Sequence, residues 1–296
     1  MEDSPKRIEY RTSKTAEMTC VTRAASFFEK NSCYKSEDYI APKLLPSFML
    51  PFIRMKIVRN IYKNIMSPKG IYEYIIARTK YIDTVFNDSI KKQFEQVLIF
   101  GAGFDSRGIR FLPLDSKTKI FELDVPITQN AKIAQLKKRK IKIHTGIIFV
   151  PTDFNKEFLE EKLADSGFEN DKKTLYLLEG ITMYLKPEAV VSTFQMINKY
   201  SSKGSEIVFD FIYSSVLRRE NKYYGEYDIY EFVSKAGEGW TFGIEKEQVK
   251  SFLNEYDFQI IDLADTEKLE RIFFTDTNGK PAGKVNGTHC IVRAVK

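Results

Sequence analysis

Histidine is almost missing from this chain: His144 and His289 are the only two in 296 residues. The three cysteines, Cys20, Cys33 and Cys290, are odd in number and follow no spacing pattern. Together these shortages argue against a disulfide framework and against a metal centre built from His or Cys. No apolar run reaches the 18 residues that would suggest a bilayer span, and there is no internal repeat and no Pro/Gly/Ser-rich linker. The opening Met1-Glu-Asp-Ser-Pro-Lys-Arg7 lacks the apolar core of a secretory signal. These absences predict a soluble, cytoplasmic chain with no membrane partner. With 43% hydrophobic and 29% charged residues, the chain can build one large α/β domain. The net charge of +6 raises the question of nucleic acid, but the basic residues are spread through the sequence. Their densest cluster, Lys137-Lys-Arg-Lys140 with Lys142, falls late in a predicted helix, where cations complement the helix C-terminus. No nucleic-acid partner is expected.

The stretch around which the rest is organised is Gln96-Val-Leu-Ile-Phe-Gly-Ala-Gly-Phe-Asp-Ser-Arg107. Val97 to Phe100 do not alternate in polarity, which suits a strand buried on both faces of a parallel sheet. Gly101 and Gly103 then turn the chain, and without a Cβ they let backbone N–H groups approach a ligand. The dinucleotide fingerprint wants a third glycine three residues after the second, and that position holds Ser106.

Residues 1–92 read as a helical cap in front of an α/β core over 93–296, the two forming a single domain. Thr15 to Lys30 has apolar residues at near-helical spacing. Ser47 to Met66 is apolar but seeded with Arg54, Lys56, Arg59 and Lys63; it has the composition of a membrane-surface helix. Pro46 and Pro51, and the domain that follows, predict instead a core or lid element. Gly70 to Phe86 is a helix by pattern, with Ile71, Ile75, Ile82 and Val85 on one stripe and Arg78 within it. Arg78 either snorkels to the edge or overhangs the glycine turn to hold a carboxylate bidentately.

After the turn, Lys119 to Val125 forms a second strand ending in acids. Glu122 lies 21 residues after Gly101 and Asp124 lies 23 after it. Such an acid either accepts hydrogen bonds from ribose hydroxyls or caps the next helix, Pro126 to Lys140. The pattern recurs. Ile147–Val150 leads to Asp153 and Phe154, Thr174–Leu178 to Glu179, and Glu206–Phe209 to Asp210, so with Asp105 five strands end near an acid. Ligands of open α/β sheets bind outside the carboxyl ends of the strands. A rim this acidic suits a polar, cationic ligand and repels a pyrophosphate. S-adenosylmethionine, which has a sulfonium, an ammonium, ribose hydroxyls and no phosphate, fits better than NAD. Asp105, directly after Gly-Ala-Gly, points the same way.

The segments Phe100-Gly-Ala-Gly-Phe-Asp-Ser-Arg107, Phe121-Glu-Leu-Asp-Val-Pro126 and Leu178-Glu-Gly-Ile-Thr-Met-Tyr-Leu185 resemble the signatures of the leucine carboxyl methyltransferase family. That family includes protein C-terminal carboxyl methyltransferases and microbial O-methyltransferases of the polyketide-tailoring type, and this chain looks closer to the second group. The resemblance begins near Thr15, takes in Ala77-Arg-Thr79 and runs past Gly237 to the last strand. It implies a seven-stranded, Rossmann-like methyltransferase sheet with helices on both faces. It also implies S-adenosylmethionine as cofactor, with Gly101 and Gly103 against its backbone and Asp124 on the ribose. Asp153 and Phe154 would flank the adenine, Arg78 would hold the methionyl carboxylate, and Glu179 would lie on the methionyl side. Phe154 either stacks on the purine or is a core aromatic, and Tyr184 either borders the acceptor in a catalytic position or packs under a lid. The expected acceptor is a small molecule or peptide. With so few histidines to serve as base, its reacting group is expected to be a carboxylate. An NAD-dependent oxidoreductase and a non-catalytic scaffold are the competing readings. Phe258–Leu263 and Thr288–Ala294 are expected to pair as a late antiparallel ribbon.

Overall fold

In the computed structural model the described residues are 12–154 and 159–296. Residues 1–11 of the expected cap, including the opening heptapeptide, lie outside them. Seven strands form one sheet: β1 (Gln96–Phe100), β2 (Lys119–Asp124), β3 (Ile147–Pro151), β4 (Thr174–Leu178), β5 (Glu206–Ile212), β6 (Gln259–Ala264) and β7 (His289–Val295). Their order is β3-β2-β1-β4-β5-β7-β6. The first five are parallel, and β7 runs antiparallel to both β5 and β6. The expected late ribbon is therefore present, with a helix, Thr266–Phe273, in the connection between its strands.

Strand β1 shows why the sheet is covered on both sides. Leu98 and Phe100 join one apolar cluster with Phe121, Tyr176, Ile207 and Phe209. Val97 and Ile99 join another with Ile120, Leu175, Leu177 and Val208. Alternate residues of each strand thus feed two cores on opposite faces, which is what an unbroken apolar run in a parallel sheet requires. The helix Ile71–Lys91 is anchored in both clusters, so this part of the expected cap is built into the core. Helix α1 (Lys14–Phe27) joins a smaller cluster with Phe104 and Leu136, and that contact brings its first turn over the β1 turn.

Two local expectations are corrected. Asp210 does not end its strand; β5 continues to Ile212, because Phe211 and Ile212 are still fully buried and pair with Cys290 and His289. Ser47 to Met66 is not a core element. It forms the short helical pieces Ser47–Met49, Leu50–Arg54, Lys56–Ile61 and Tyr62–Met66, and most of its large apolar side chains face outward. No helix among the described residues is long and apolar enough to cross a membrane.

Candidate active site

The parallel strands end in register. Phe100 stands beside Leu123 and Leu178, and Asp124 beside Pro151. The strand order reverses between β1 and β4, with connections leaving to opposite sides, and a crevice opens there. It is a cavity of about 370 Å³. Its floor contains Gly101, Gly103, Asp105, Asp124, Asp153, Phe154 and Glu179, with Arg78 and Arg107 beneath. Thr15, Ala16 and Thr19 of α1, Tyr184 and Leu185 after β4, and the segment Gly237–Gly239 with Thr241 complete it.

The glycine turn depends on conformations that side chains oppose. Gly101 has φ +59° and Gly103 φ +51°, and a Cβ on Gly101 would lie 2.6 Å from Ile181 Cδ1. The Gly103 N–H donates to Asp124 Oδ2, so it is committed to the protein and does not form part of a free backbone cradle. Asp124 Oδ1 accepts the N–H of Val125 at 2.6 Å. One carboxylate thereby ties the β1 turn to the end of β2. Each oxygen has taken one donor and has capacity for another, and the residue faces the cavity. Burial pushes the Asp124 carboxyl up to about 6, against the pull of those two N–H groups.

Beneath the floor lies a ladder of buried ion pairs. Arg78 Nη1 donates to Asp210 Oδ2 at 2.6 Å, and Arg78 Nε lies 3.0 Å from Glu179 Oε1. Arg107 Nη1 donates to Glu179 Oε2 at 2.6 Å and to Asp105, while its Nε donates to Asp83 at 2.8 Å. Arg110 continues to Asp83 at 2.7 Å, and its Nε lies 3.4 Å from Asp38. Arg23 closes the ladder, donating to Asp38 at 2.8 Å and to the Phe104 carbonyl at 2.7 Å. Burial alone would raise the Asp105 carboxyl, but Arg107, with Lys132 and Arg23 further off, holds it at about 2. Arg78 holds the fully buried Asp210 below the ordinary carboxylate range in the same way.

The sequence-derived residues therefore divide. Gly101, Gly103, Asp105, Asp124, Asp153, Phe154, Glu179, Arg78 and Tyr184 all line the cavity. Glu122 is not among its lining residues. Its carboxylate is buried against Lys132 Nζ, and burial raises its pKa in spite of that lysine. Asp105 and Arg78 face the cavity already paired, which revises the picture of Arg78 as a guanidinium waiting for a ligand. Phe154 is half-buried, 6.1 Å from Phe100 between ring centres. The Tyr184 hydroxyl lies 3.4 Å from Thr15 Oγ1, and burial raises its pKa. Neither histidine lines the cavity. His144 bonds the Leu114 carbonyl at 3.0 Å. His289 is stacked on Tyr74 at 4.3 Å, and burial brings its pKa down to about 3 although Asp210 pulls the other way. His289 does stand at the carboxyl rim, opposite Ile212, because β7 is antiparallel.

Sequence reasoning missed the roof. Glu238 accepts from the N–H groups of Lys14 (2.8 Å) and Thr15 (3.1 Å) and from the hydroxyls of Ser13 (3.2 Å) and Thr15 (2.5 Å). The start of α1 is thereby capped by an acid more than 220 residues away. Thr241 anchors the same segment, donating from its N–H to the Met183 carbonyl at 2.8 Å and from its hydroxyl to the Leu185 carbonyl at 2.7 Å. Gly237-Glu238-Gly239 was the only local hint, and spacing could not say what the acid would meet.

A doubly wound sheet with a glycine turn, an acid at the end of β2 and a cavity at the strand reversal defines an open α/β protein whose ligand crevice lies at the switch point. The leucine carboxyl methyltransferase family model matches residues 16–198, and the chain belongs to that family. A Bacillus subtilis relative, provisionally named S-adenosyl-L-methionine-dependent methyltransferase YktD, is 26% identical over 68% of this chain and 66% of its own length. A relative from Mycobacterium ulcerans (strain Agy99), provisionally named an S-adenosyl-L-methionine-dependent methyltransferase, is 30% identical over 52% of this chain. The match spans half of that relative's length. A crystal structure from Thermobifida fusca YX, provisionally described as a methyltransferase, superposes with a TM-score of 0.60 at 13% identity. It covers 97% of this chain and 95% of its own, and it shares the fold.

Proposed function

We propose that this chain is an S-adenosylmethionine-dependent O-methyltransferase that esterifies a carboxylate of a small molecule or peptide. The observation that carries the cofactor reading is Asp124, a buried carboxylate at the cavity wall with hydrogen-bonding capacity left after both backbone donors are counted. A pair of ribose hydroxyls matches that capacity. The acids of the lining, Asp105, Asp124, Asp153, Glu179 and Glu238, outnumber its arginines, Arg23, Arg78 and Arg107, and those arginines are already paired with carboxylates, which disfavours a pyrophosphate and the NAD reading. The donor set thus fits S-adenosylmethionine. Asp124 would hold the ribose, Asp153 and Phe154 the adenine, and the Arg78–Glu179 pair the methionyl end, its carboxylate toward Arg78 and its ammonium toward Glu179. Bound there, the cofactor supplies an electrophilic methyl group on a sulfonium.

The chain's own contribution is alignment and exclusion of water. Thr15, Tyr184, Leu185 and Thr241 border the remaining space. No histidine stands there, and burial moves the Tyr184 hydroxyl further from service as a base at neutral pH. An alcohol acceptor would need such a base, whereas a carboxylate, with a pKa near 4, needs only to be aimed. The test is transfer of labelled methyl from S-adenosylmethionine into cell extract, followed by mild alkali. Label released as methanol supports an ester. Label that stays bound marks an ether or amine product and removes the carboxylate reading. Calorimetry that detects neither S-adenosylmethionine nor S-adenosylhomocysteine would remove the cofactor reading itself.

A further inference from the structure

The segment from Tyr39 to Tyr72 contains no aspartate or glutamate but does contain Lys43, Arg54, Lys56, Arg59, Lys63 and Lys69. In the same segment Phe48, Phe52, Met55, Ile57, Ile61 and Ile65 are exposed, from 43% for Ile61 to 77% for Ile65. Exposed apolar residues are ordinary when they are scattered singly. Here they are ordered. Ile57, Ile61 and Ile65 recur at steps of four along consecutive helical turns, and Arg59, between them in sequence, is buried and bonded to Glu29 at 2.8 Å. Phe48 and Phe52 repeat the step of four one piece earlier. The segment is fixed to the domain from below, where the Tyr62 hydroxyl donates to the Met18 carbonyl at 3.2 Å and Tyr62 meets Tyr72 edge-on. What faces outward is held there by what is bonded inward.

We propose that this face docks on an anionic lipid bilayer. Arg59 is buried on Glu29 and Lys69 is paired with Asp228, which leaves Lys43, Arg54, Lys56 and Lys63 as the cations of a segment without acids. Such a segment complements an anionic headgroup layer, and the long stems of Lys and Arg let the charge sit among headgroups while neighbouring apolar side chains enter the acyl boundary. The side chains protrude; at 64–77% exposure Ile57, Phe48 and Ile65 stand out as projections. Projections suit insertion into a fluid medium, whereas a rigid protein partner would have to present matching pockets. The proposal runs against the expectation of a core or lid element and of no membrane partner, and it does not depend on the reaction catalysed.

The experiment is co-sedimentation of the full-length chain with vesicles of phosphatidylcholine alone and of phosphatidylcholine mixed with phosphatidylglycerol. The wild-type chain is expected to partition onto the anionic vesicles at least about tenfold better than onto neutral ones, and less as salt is raised. Arg54→Glu and Lys56→Glu should each weaken partitioning roughly fivefold or more. Ile57→Asn combined with Ile61→Asn should weaken it about tenfold. All four positions are exposed, so circular dichroism should match the wild type. Recovery in the supernatant with every vesicle, or partitioning indifferent to both sets of variants, overturns the proposal. So does a dimer in sedimentation velocity that dissolves with the Ile57/Ile61 pair, because the face would then belong to a second copy of the chain.

Discussion

Asp124 offers the most exacting check on the cofactor reading, because its two demands conflict. The carboxylate must be ionised to bind ribose hydroxyls strongly, yet burial places its pKa at about 6 in the free protein. Relative to an ordinary aspartate near 3.8, keeping it ionised at neutral pH costs the free protein about 3 kcal/mol. The sign follows directly. A carboxyl whose folded pKa is raised contributes stability below its unfolded pKa, and that contribution is lost as pH rises through about 6. Ribose donors reverse the preference by stabilising the ionised form, so binding releases a proton at low pH. Affinity for S-adenosylhomocysteine should therefore be flat above pH about 6.5 and fall toward tenfold per pH unit below about 5.5. Asp124→Asn removes the charge and leaves only one oxygen for the two N–H groups of Gly103 and Val125. Losing the charge relieves about 3 kcal/mol, and leaving one buried donor unpaired costs about 1–3 kcal/mol, so the variant should fold with nearly wild-type stability at pH 7. Its affinity should drop by about 1.5–3 kcal/mol, roughly tenfold to a hundredfold, and its pH dependence should vanish. Isothermal titration of both proteins from pH about 4.5 to 7.5 tests this. A pH-independent wild type, or a variant with wild-type affinity, would refute the ribose role.

Three further outcomes are expected. Arg78→Met leaves the fully buried Asp210 and its neighbour Glu179 without their shared cation and should lower unfolding stability by about 3–5 kcal/mol in denaturant titration; a change below about 1 kcal/mol would mean the pair is not structural. Gly101→Ala sets a Cβ 2.6 Å from Ile181 Cδ1 at φ +59° and should cost at least about 1–2 kcal/mol; adding Ile181→Ala should recover the steric part of the loss, and failure to recover any would locate the problem in φ alone. Glu238→Ala releases four donors at the start of α1, so amide exchange at residues 14 and 15 should speed up at least tenfold while the Ile71–Lys91 helix stays protected; uniform protection would show that the cap holds nothing.

The sequence by itself determined the β1 strand and its turn, because a non-alternating apolar run followed by Gly101 and Gly103 leaves few other conformations. It also determined that Asp105, Asp124, Asp153 and Glu179 gather at one rim, since the ends of parallel strands fall on the same side. An acid at the end of β2 was legible from spacing, and the family from three ordered motifs. What only the tertiary structure decided concerns partners and exposure, which no local period encodes. Arg78 could be named from the chain, but not that it would join Arg107, Arg110 and Arg23 in sharing five carboxylates under the floor. Glu122 and Asp124 looked alike two residues apart, and a lysine ten residues further on took the first while the cavity received the second. Glu238 found its donors across more than 220 residues. The Ser47–Met66 stretch is rich in apolar residues yet largely exposed, because its inward anchors are few, Ile53, Arg59 and Tyr62, and Ile57, Ile61 and Ile65 are left facing out. Periodicity reports which residues share a face; which face is buried depends on what the rest of the chain brings to it.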